Sequence, residues 1–300
     1  MRLILPALVL PSLTLFAAPA TALEPEPLRP ATAEEQRARA AVSIADYRFD
    51  DLLWENDRIA FRIYGRRLEK AEPPSSSGVD AWGKKVRWPF MDRQLRTGDQ
   101  HADHGEGLDF YNVGTGRGTG GLGIWYDNKL WTSRNYVRPR ILHSGADVAD
   151  FTVDYEPWPV DVLRTVRETR RFTLRAGTNF TRMTSTITSN SDAELIVAIG
   201  ISKRPISGGR LGDVRKDSAG ARLSWWGPAD GDKGRMAAAV IVDPANFAGF
   251  AEDADNYLIL VRARPGQPFV YYSGAAWDRG GDFAAREAWN SYVDAQRPDF

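Results

Sequence analysis

The segment His101-Ala-Asp103-His104-Gly-Glu106-Gly-Leu-Asp109-Phe-Tyr111-Asn-Val-Gly114 sets two of the chain's three histidines among carboxylates, three residues apart. Histidine ordinarily titrates near neutral pH, which makes it the usual mover of protons there. If the stretch is extended, His101 and Asp103 share one face, while His104 and Glu106 share the other. His104 and Glu106 then form the expected acid–base pair, with Asp109 and Tyr111 as further candidate catalytic groups. Gly105 and Gly107 let a ligand approach the backbone. A divalent metal on His101, His104 and a carboxylate is a second arrangement, with His143 as the remaining histidine, but no cofactor is expected. A loop of solvated charges is a third.

Three other clusters carry candidate ligand-binding groups. In Ser77-Gly-Val-Asp80-Ala-Trp82-Gly-Lys84-Lys85, alternation puts Asp80, Trp82 and Lys84 on one strand face, offering an acid, a stacking platform and a cation. The run Gly114-Thr-Gly-Arg117-Gly-Thr-Gly-Gly-Leu-Gly123 contains a formal G-x-G-x-x-G. Strand-like residues follow it where a dinucleotide site needs a helix, so nucleotide binding is rejected. It reads as a tight loop carrying Arg117, a candidate for a substrate carboxylate. The third cluster, Tyr271-Tyr272-Ser-Gly-Ala-Ala-Trp277-Asp278-Arg279, ends a strand in a turn presenting Trp277, Asp278 and Arg279 beside Tyr272. Glu252-Asp-Ala-Asp255-Asn256 has oxygen ligands for calcium but reads as a solvated turn.

Composition narrows the partners. Thirty-nine basic residues balance thirty-nine acidic ones, so no basic field invites nucleic acid. Cysteine is absent, which excludes thiolate nucleophiles and Cys-ligated metals. Ten tryptophans and ten tyrosines, many beside glycine or charge, suit sugar rings. Residues 1–22 have the basic start, apolar run and Ala-Thr-Ala end of a signal peptide. The expected location is periplasmic or secreted, in a Gram-negative bacterium, with no membrane association after cleavage. The oligomeric state is left open.

The elements that must hold these groups are strands. Residues 23–42 read as a linker or N-terminal arm, with a short helix from Glu34 to Val42. Asn56-Asp57 turns the chain into a strand with Ile59, Phe61 and Ile63 on one face. Runs at 164–175, 180–189 and 194–201, parted by turn residues, predict an antiparallel meander, continued at 238–243, 257–262 and 269–274. A helix is expected over Gly281–Gln296. Residues 43–300 therefore read as one all-β domain, a large antiparallel β-sandwich with a short C-terminal helix.

Trp54-Glu-Asn-Asp-Arg-Ile-Ala-Phe-Arg-Ile-Tyr-Gly65, Gly78-Val-Asp-Ala-Trp82, His104-Gly-Glu-Gly-Leu-Asp-Phe-Tyr-Asn-Val-Gly114 and the Tyr272–Gly281 loop resemble a family of secreted bacterial proteins, domain of unknown function 4861. Its members accompany enzymes that degrade pectin and uronate polysaccharides. The resemblance covers nearly the whole chain after residue 22. It implies a role on acidic glycans and a supersandwich similar to that of galactose mutarotases. No catalytic role is carried over, and Ala102-Asp103 stands here where a second histidine beside His104 is expected.

The expected function is an exported enzyme acting on uronate-containing oligosaccharides. Arg279 with Arg117 or Lys84 would take the carboxylate, Trp82 and Trp277 the rings, and His104 with Glu106 the protons of a β-elimination. Hydrolysis by Glu106 with Asp109 or Asp278, anomer interconversion, and a non-catalytic sugar-binding module are the alternatives. The module needs the aromatic platforms but not a meeting of His104 and Glu106.

Overall fold

The computed structural model describes residues 24–204 and 209–300, which hold nineteen strands in three antiparallel sheets. The expected leader lies outside the described residues. The first sheet runs in chain order through β1 (Ala40–Ala45), β2 (Asp51–Asn56), β3 (Ala60–Ile63), β4 (Asp80–Lys84) and β5 (Gly107–Leu108). The second has the order β17 (Phe247–Glu252), β18 (Asn256–Ala263), β13 (Leu195–Ser202), β6 (Thr119–Tyr126) and β7 (Lys129–Trp131). The third and largest runs from β14 (Asp213–Asp217) through β15 (Arg222–Trp226), β16 (Met236–Val242) and β19 (Pro268–Trp277). It goes on to β12 (Phe180–Ser189), β11 (Thr165–Arg175), β9 (Val148–Asp154) and β8 (Arg138–Gly145), with β10 (Trp158–Pro159) paired to β11.

The sandwich follows from alternation. In β11, Val166, Glu168, Arg170, Phe172 and Leu174 are buried, and the residues between them face outward. Both smaller sheets lie over that buried face, and one apolar core joins all three. Trp54 and Phe61 enter it from the first sheet, Ile199 and Ile259 from the second, Phe151 and Phe172 from the third. The expected all-β sandwich is what the chain forms.

The meander holds for β11 and β12, which pair over their length. The third run departs from it. Leu195–Ser202 is apolar on both faces, so β13 takes a central place between β18 and β6 in the second sheet.

Short helices close the outer faces. α4 (Arg286–Ala295) begins later than Gly281 and lays Trp289 and Val293 on Phe180, Ala239 and Ile241 of the large sheet. α3 (Met91–Arg96) covers the outer face of the first sheet, packing Met91 and Leu95 with Leu53, Ala60 and Trp82. The N-terminal arm forms α1 (Ala33–Arg37), closed by a Thr32–Glu35 capping box. That helix stops short of Val42 because Ala40 already belongs to β1. The arm is also tied down, with Glu26 N–H donating to Arg96 O at 3.0 Å. No helix among the described residues is long and apolar enough to cross a membrane.

Trp54 is fully buried, with Phe61, Phe151 and Phe172 within 5.4 Å ring to ring and its Nε1–H bonded to Thr181 Oγ1 at 3.1 Å. Trp54→Ala should cost about 3–5 kcal/mol in denaturant unfolding with an unchanged m-value. A loss under ~1 kcal/mol would mean that the first and third sheets do not share this core.

Candidate functional site

The outer face of the first sheet carries charge where an ordinary strand face would carry packing. Asp51 and Glu55 on β2, Arg62 on β3, and Asp80 and Lys84 on β4 are all buried. Arg62 and Asp80 are opposite residues of adjacent strands. Asp80 Oδ2 accepts from Arg62 Nε at 3.0 Å and Nη2 at 2.7 Å, from Tyr64 OH at 3.1 Å, and from Trp82 Nε1 at 3.2 Å. Arg62 Nη2 also donates to Asp109 Oδ2 at 2.7 Å, and Asp51 stands 3.6 Å from Nη1. One guanidinium thus serves three buried aspartates.

Burial and the neighbouring Asp109 charge push the Asp80 carboxyl up to about 7 against the pull of Arg62. Burial likewise lifts Asp51 to about 6. The Tyr64 hydroxyl is raised well above its ordinary value, first by burial and then by Asp80. Burial opposes the Arg62 charge, but Tyr64 and the aspartates hold its pKa well above the usual one.

The segment that follows β4 delivers the remaining groups. Glu55 Oε1 accepts from the backbone N–H of Phe90 and Met91, both at 2.9 Å, capping α3. Lys84 Nζ pairs with Glu55 Oε2 at 2.5 Å, and burial lowers its pKa. After α3 the chain folds back, with Asp109 N–H bonded to Gln100 O at 2.8 Å. This holds His101 Nδ1 2.9 Å from Asp109 O and 3.7 Å from Asp109 Oδ2. His101 Nε2 lies 3.2 Å from Gln100 Nε2.

These elements enclose a polar cavity of about 320 Å³. His101, Tyr64, Gln100, Asn112 and Arg48 line it, together with Arg62 and Asp109. A proton acceptor, a proton donor and a cation therefore face one space.

The expected pair is not assembled. His104 Nε2 turns to Asp99 O at 3.2 Å. Glu106 instead receives Trp88 Nε1 at 3.1 Å and forms an ion pair with Arg93 at 2.7 Å. The cause is local: Gly105, at φ +98°, breaks the strand that alternation required. His101 and His104 reach different carbonyls, and His143 lies on β8. Among the described residues, no three His, Asp or Glu side chains stand where they could hold a metal.

Of the other expected site residues, Asp109 reaches the cavity and the rest lie elsewhere. Tyr111 is buried, donating to Gly118 O at 3.0 Å, and burial raises its pKa. Trp82 does share a face with Asp80 and Lys84, but α3 covers that face and leaves no ring surface for a sugar. Arg117 is also buried and hydrogen-bonds Ser77 Oγ at 3.0 Å. Burial and nearby Arg170 bring its pKa down to about 10. Gly118 beside it has φ +63° because the chain crosses Val79 too closely for a side chain.

Tyr272 and Trp277 are five residues apart on β19 and so face opposite ways. Tyr272 looks outward, while Trp277 is a core side chain donating to Lys233 O at 2.8 Å. Asp278 accepts from Arg235 N–H at 2.9 Å, and Arg279 is exposed. At the acidic turn, Asp253 Oδ1 accepts from Asp255 and Asn256 backbone N–H. Arg62, Tyr64 and Asp51 did not figure in the expected site. Their signal was an Arg-x-Tyr on the polar face of a strand whose apolar face drew attention.

The buried carboxyl makes a testable difference. In the fold Asp80 keeps its proton until about pH 7, while the unfolded chain loses it at the ordinary carboxylate value. Its contribution to stability is therefore full below that value and lost as pH rises through 7. Between about pH 4 and 7 the wild type should lose stability relative to Asp80→Asn, at no more than about 1.4 kcal/mol per pH unit. Parallel stability curves from denaturation across that range would show that Asp80 does not hold the proton.

Residues 24–299 match the family described as Domain of unknown function (DUF4861). An uncharacterized protein P7 of Formosa agariphila is 26% identical over 262 residues, 82% of this chain and 64% of that protein. The chain thus spans less than two thirds of that relative's length. Among solved structures, the GH36 alpha-galactosidase AgaB of Geobacillus stearothermophilus aligns with 79% of this chain and 41% of its own, at 9% identity and TM-score 0.38. Heparinase III aligns with 82% of this chain and 36% of its own, at 9% identity and TM-score 0.36. Both likenesses are too distant to bear on chemistry. With nearly every described residue inside the family match, the chain belongs to the DUF4861 family.

Proposed function

We propose that this protein is a carbohydrate-active enzyme that cleaves uronate-containing oligosaccharides by acid–base chemistry in the His101–Tyr64 cavity. The observation that carries the reading is that these two groups line one polar space with Arg48 in its wall. The His101 contacts to Asp109 O and Gln100 Nε2 are satisfied together by a neutral ring with its proton on Nδ1. The Nε2 lone pair, which accepts from the Gln100 amide in the free protein, becomes the base when that amide turns to the substrate carboxylate. Tyr64 keeps its proton through burial and Asp80, and its hydroxyl, which donates to Asp80 in the free protein, turns to the leaving oxygen to act as the acid.

β-Elimination uses these groups directly. Arg48, now paired with Glu72 at 2.6 Å, and the amides of Gln100 and Asn112 offer donors for the substrate carboxylate. His101 removes the proton from the carbon bearing that carboxylate. Its electron pair forms the double bond, the neighbouring carbon–oxygen bond breaks, and the leaving oxygen takes the Tyr64 proton. No water is consumed. Burial of Trp82 and Trp277 speaks against a module that binds sugars on those platforms.

The purified protein should be incubated with pectic, alginate and ulvan oligosaccharides, following unsaturated-uronate absorbance and product mass. New absorbance at unchanged total mass is expected, and products heavier by water would select hydrolysis instead. On the accepted substrate, His101→Ala and Tyr64→Phe should each lower kcat/KM by about 10²–10⁴-fold, with His104→Ala close to wild type. Binding without turnover, or full activity in His101→Ala, would overturn the cavity as an active site.

A further inference from the structure

The opposite outer face of the sandwich holds a second concavity, of about 490 Å³, between the solvent side of the large sheet and residues 296–299. Strand register builds its floor. Thr173, Arg182, Tyr272 and Ile241 are successive cross-strand partners on β11, β12, β19 and β16. At the strand spacing of about 4.8 Å, this row spans about 14 Å. Arg175 follows Thr173 two residues along β11 and shares its outward face.

Charge is what sets this groove apart. Arg175, Arg182 and Arg297 line it, and none has a carboxylate partner among the described residues. Arg182 Nη1 donates to Thr184 Oγ1 at 2.7 Å, and Arg297 Nη1 donates to two backbone carbonyls. The one acid in the lining, Asp299, accepts from Tyr272 OH through its backbone oxygen at 2.9 Å. Arg140, Arg167, Arg264 and Arg279 likewise have no carboxylate partner among the described residues, so what distinguishes this groove is that three such arginines line one concavity, with Arg171 at the rim paired to Asp150.

We infer that this groove is a second binding site, separate from the cavity, for an acidic oligosaccharide carrying carboxylate or sulfate groups. Guanidinium forks match both anions, and the Tyr272 ring and Thr173 hydroxyl suit sugar faces and hydroxyls. A straight row on a rigid sheet fits an extended chain. The inference rests on the reading that acidic glycans are the substrate class, but its test reads binding, not turnover.

Calorimetry on the full chain would compare oligogalacturonate, a sulfated oligosaccharide, a neutral oligosaccharide and an oligothymidylate. Both Arg175→Gln/Arg182→Gln and the milder Arg182→Lys should be titrated after circular dichroism confirms their fold. Carboxylated or sulfated chains should bind the wild type, more weakly as salt rises. The double variant should bind at least about tenfold less tightly, and His101→Ala should bind like the wild type. The stronger of the two acidic chains would identify the anion. Unchanged affinity in the double variant, equal binding of the neutral chain, or preference for the oligothymidylate would overturn the site. Turnover lost in His101→Ala with binding intact separates this result from the fate of the cavity.

Discussion

Arg62 is the group on which the candidate site depends. It joins Asp51 of β2, Asp80 of β4 and Asp109 beyond β5, so a single buried guanidinium holds the end of each of these segments in place. A cation so placed cannot neutralise three carboxylates in a dry setting, and the like charges must be relieved by protons. Asp80 and Asp51 carry that relief, which is why their carboxyls hold protons toward neutrality. Without Arg62, buried negative charges would face one another across the sheet, and β2, β3 and β4 would lose their register on the outer side.

A second network fixes what surrounds this centre. Lys84 and Glu55 hold the start of α3, and Arg93 from α3 holds Glu106, so the returning segment is pinned at both ends. Between those pins the chain has room to fold His101 toward Asp109. Paired charges under α3 therefore act as scaffold. On the proposed reading, chemistry is left to the groups that reach the cavity just beyond the helix, and burial rather than residue type separates the two roles.

How much of this was legible in the sequence varies from group to group. Period-two patterning specified the strands of the large sheet, and β11 in particular shows it residue by residue. The shared face of Asp80, Trp82 and Lys84 was equally readable. Its cover was not: α3 is six residues long and owes its existence to packing on Trp82 and to a cap from Glu55, which is distant in sequence. The His104–Glu106 pair failed because the alternation rule presumes an unbroken strand, which Gly105 denies. Trp82 and Trp277 show a further limit. An aromatic beside a glycine suits a sugar platform and a tight core equally well, and here Gly83 lies against the Trp277 indole within the core.

The charges of the molecule cancel in total. Three aspartates gather on Arg62 under the first sheet's outer face, while three arginines without a carboxylate partner line the groove on the outer face of the large sheet. On the proposed function, an acidic glycan approaching the cavity would meet Arg48, with the aspartates behind it partly discharged by their own protons. At higher pH those carboxyls ionise, and the charge behind the cavity wall becomes more repulsive to a carboxylate. The basic groove keeps its charge across the same range, because guanidinium does not lose its proton there. Capture and cleavage of an acidic chain would then respond differently to pH, since one depends on arginine alone and the other on arginine balanced against buried aspartate.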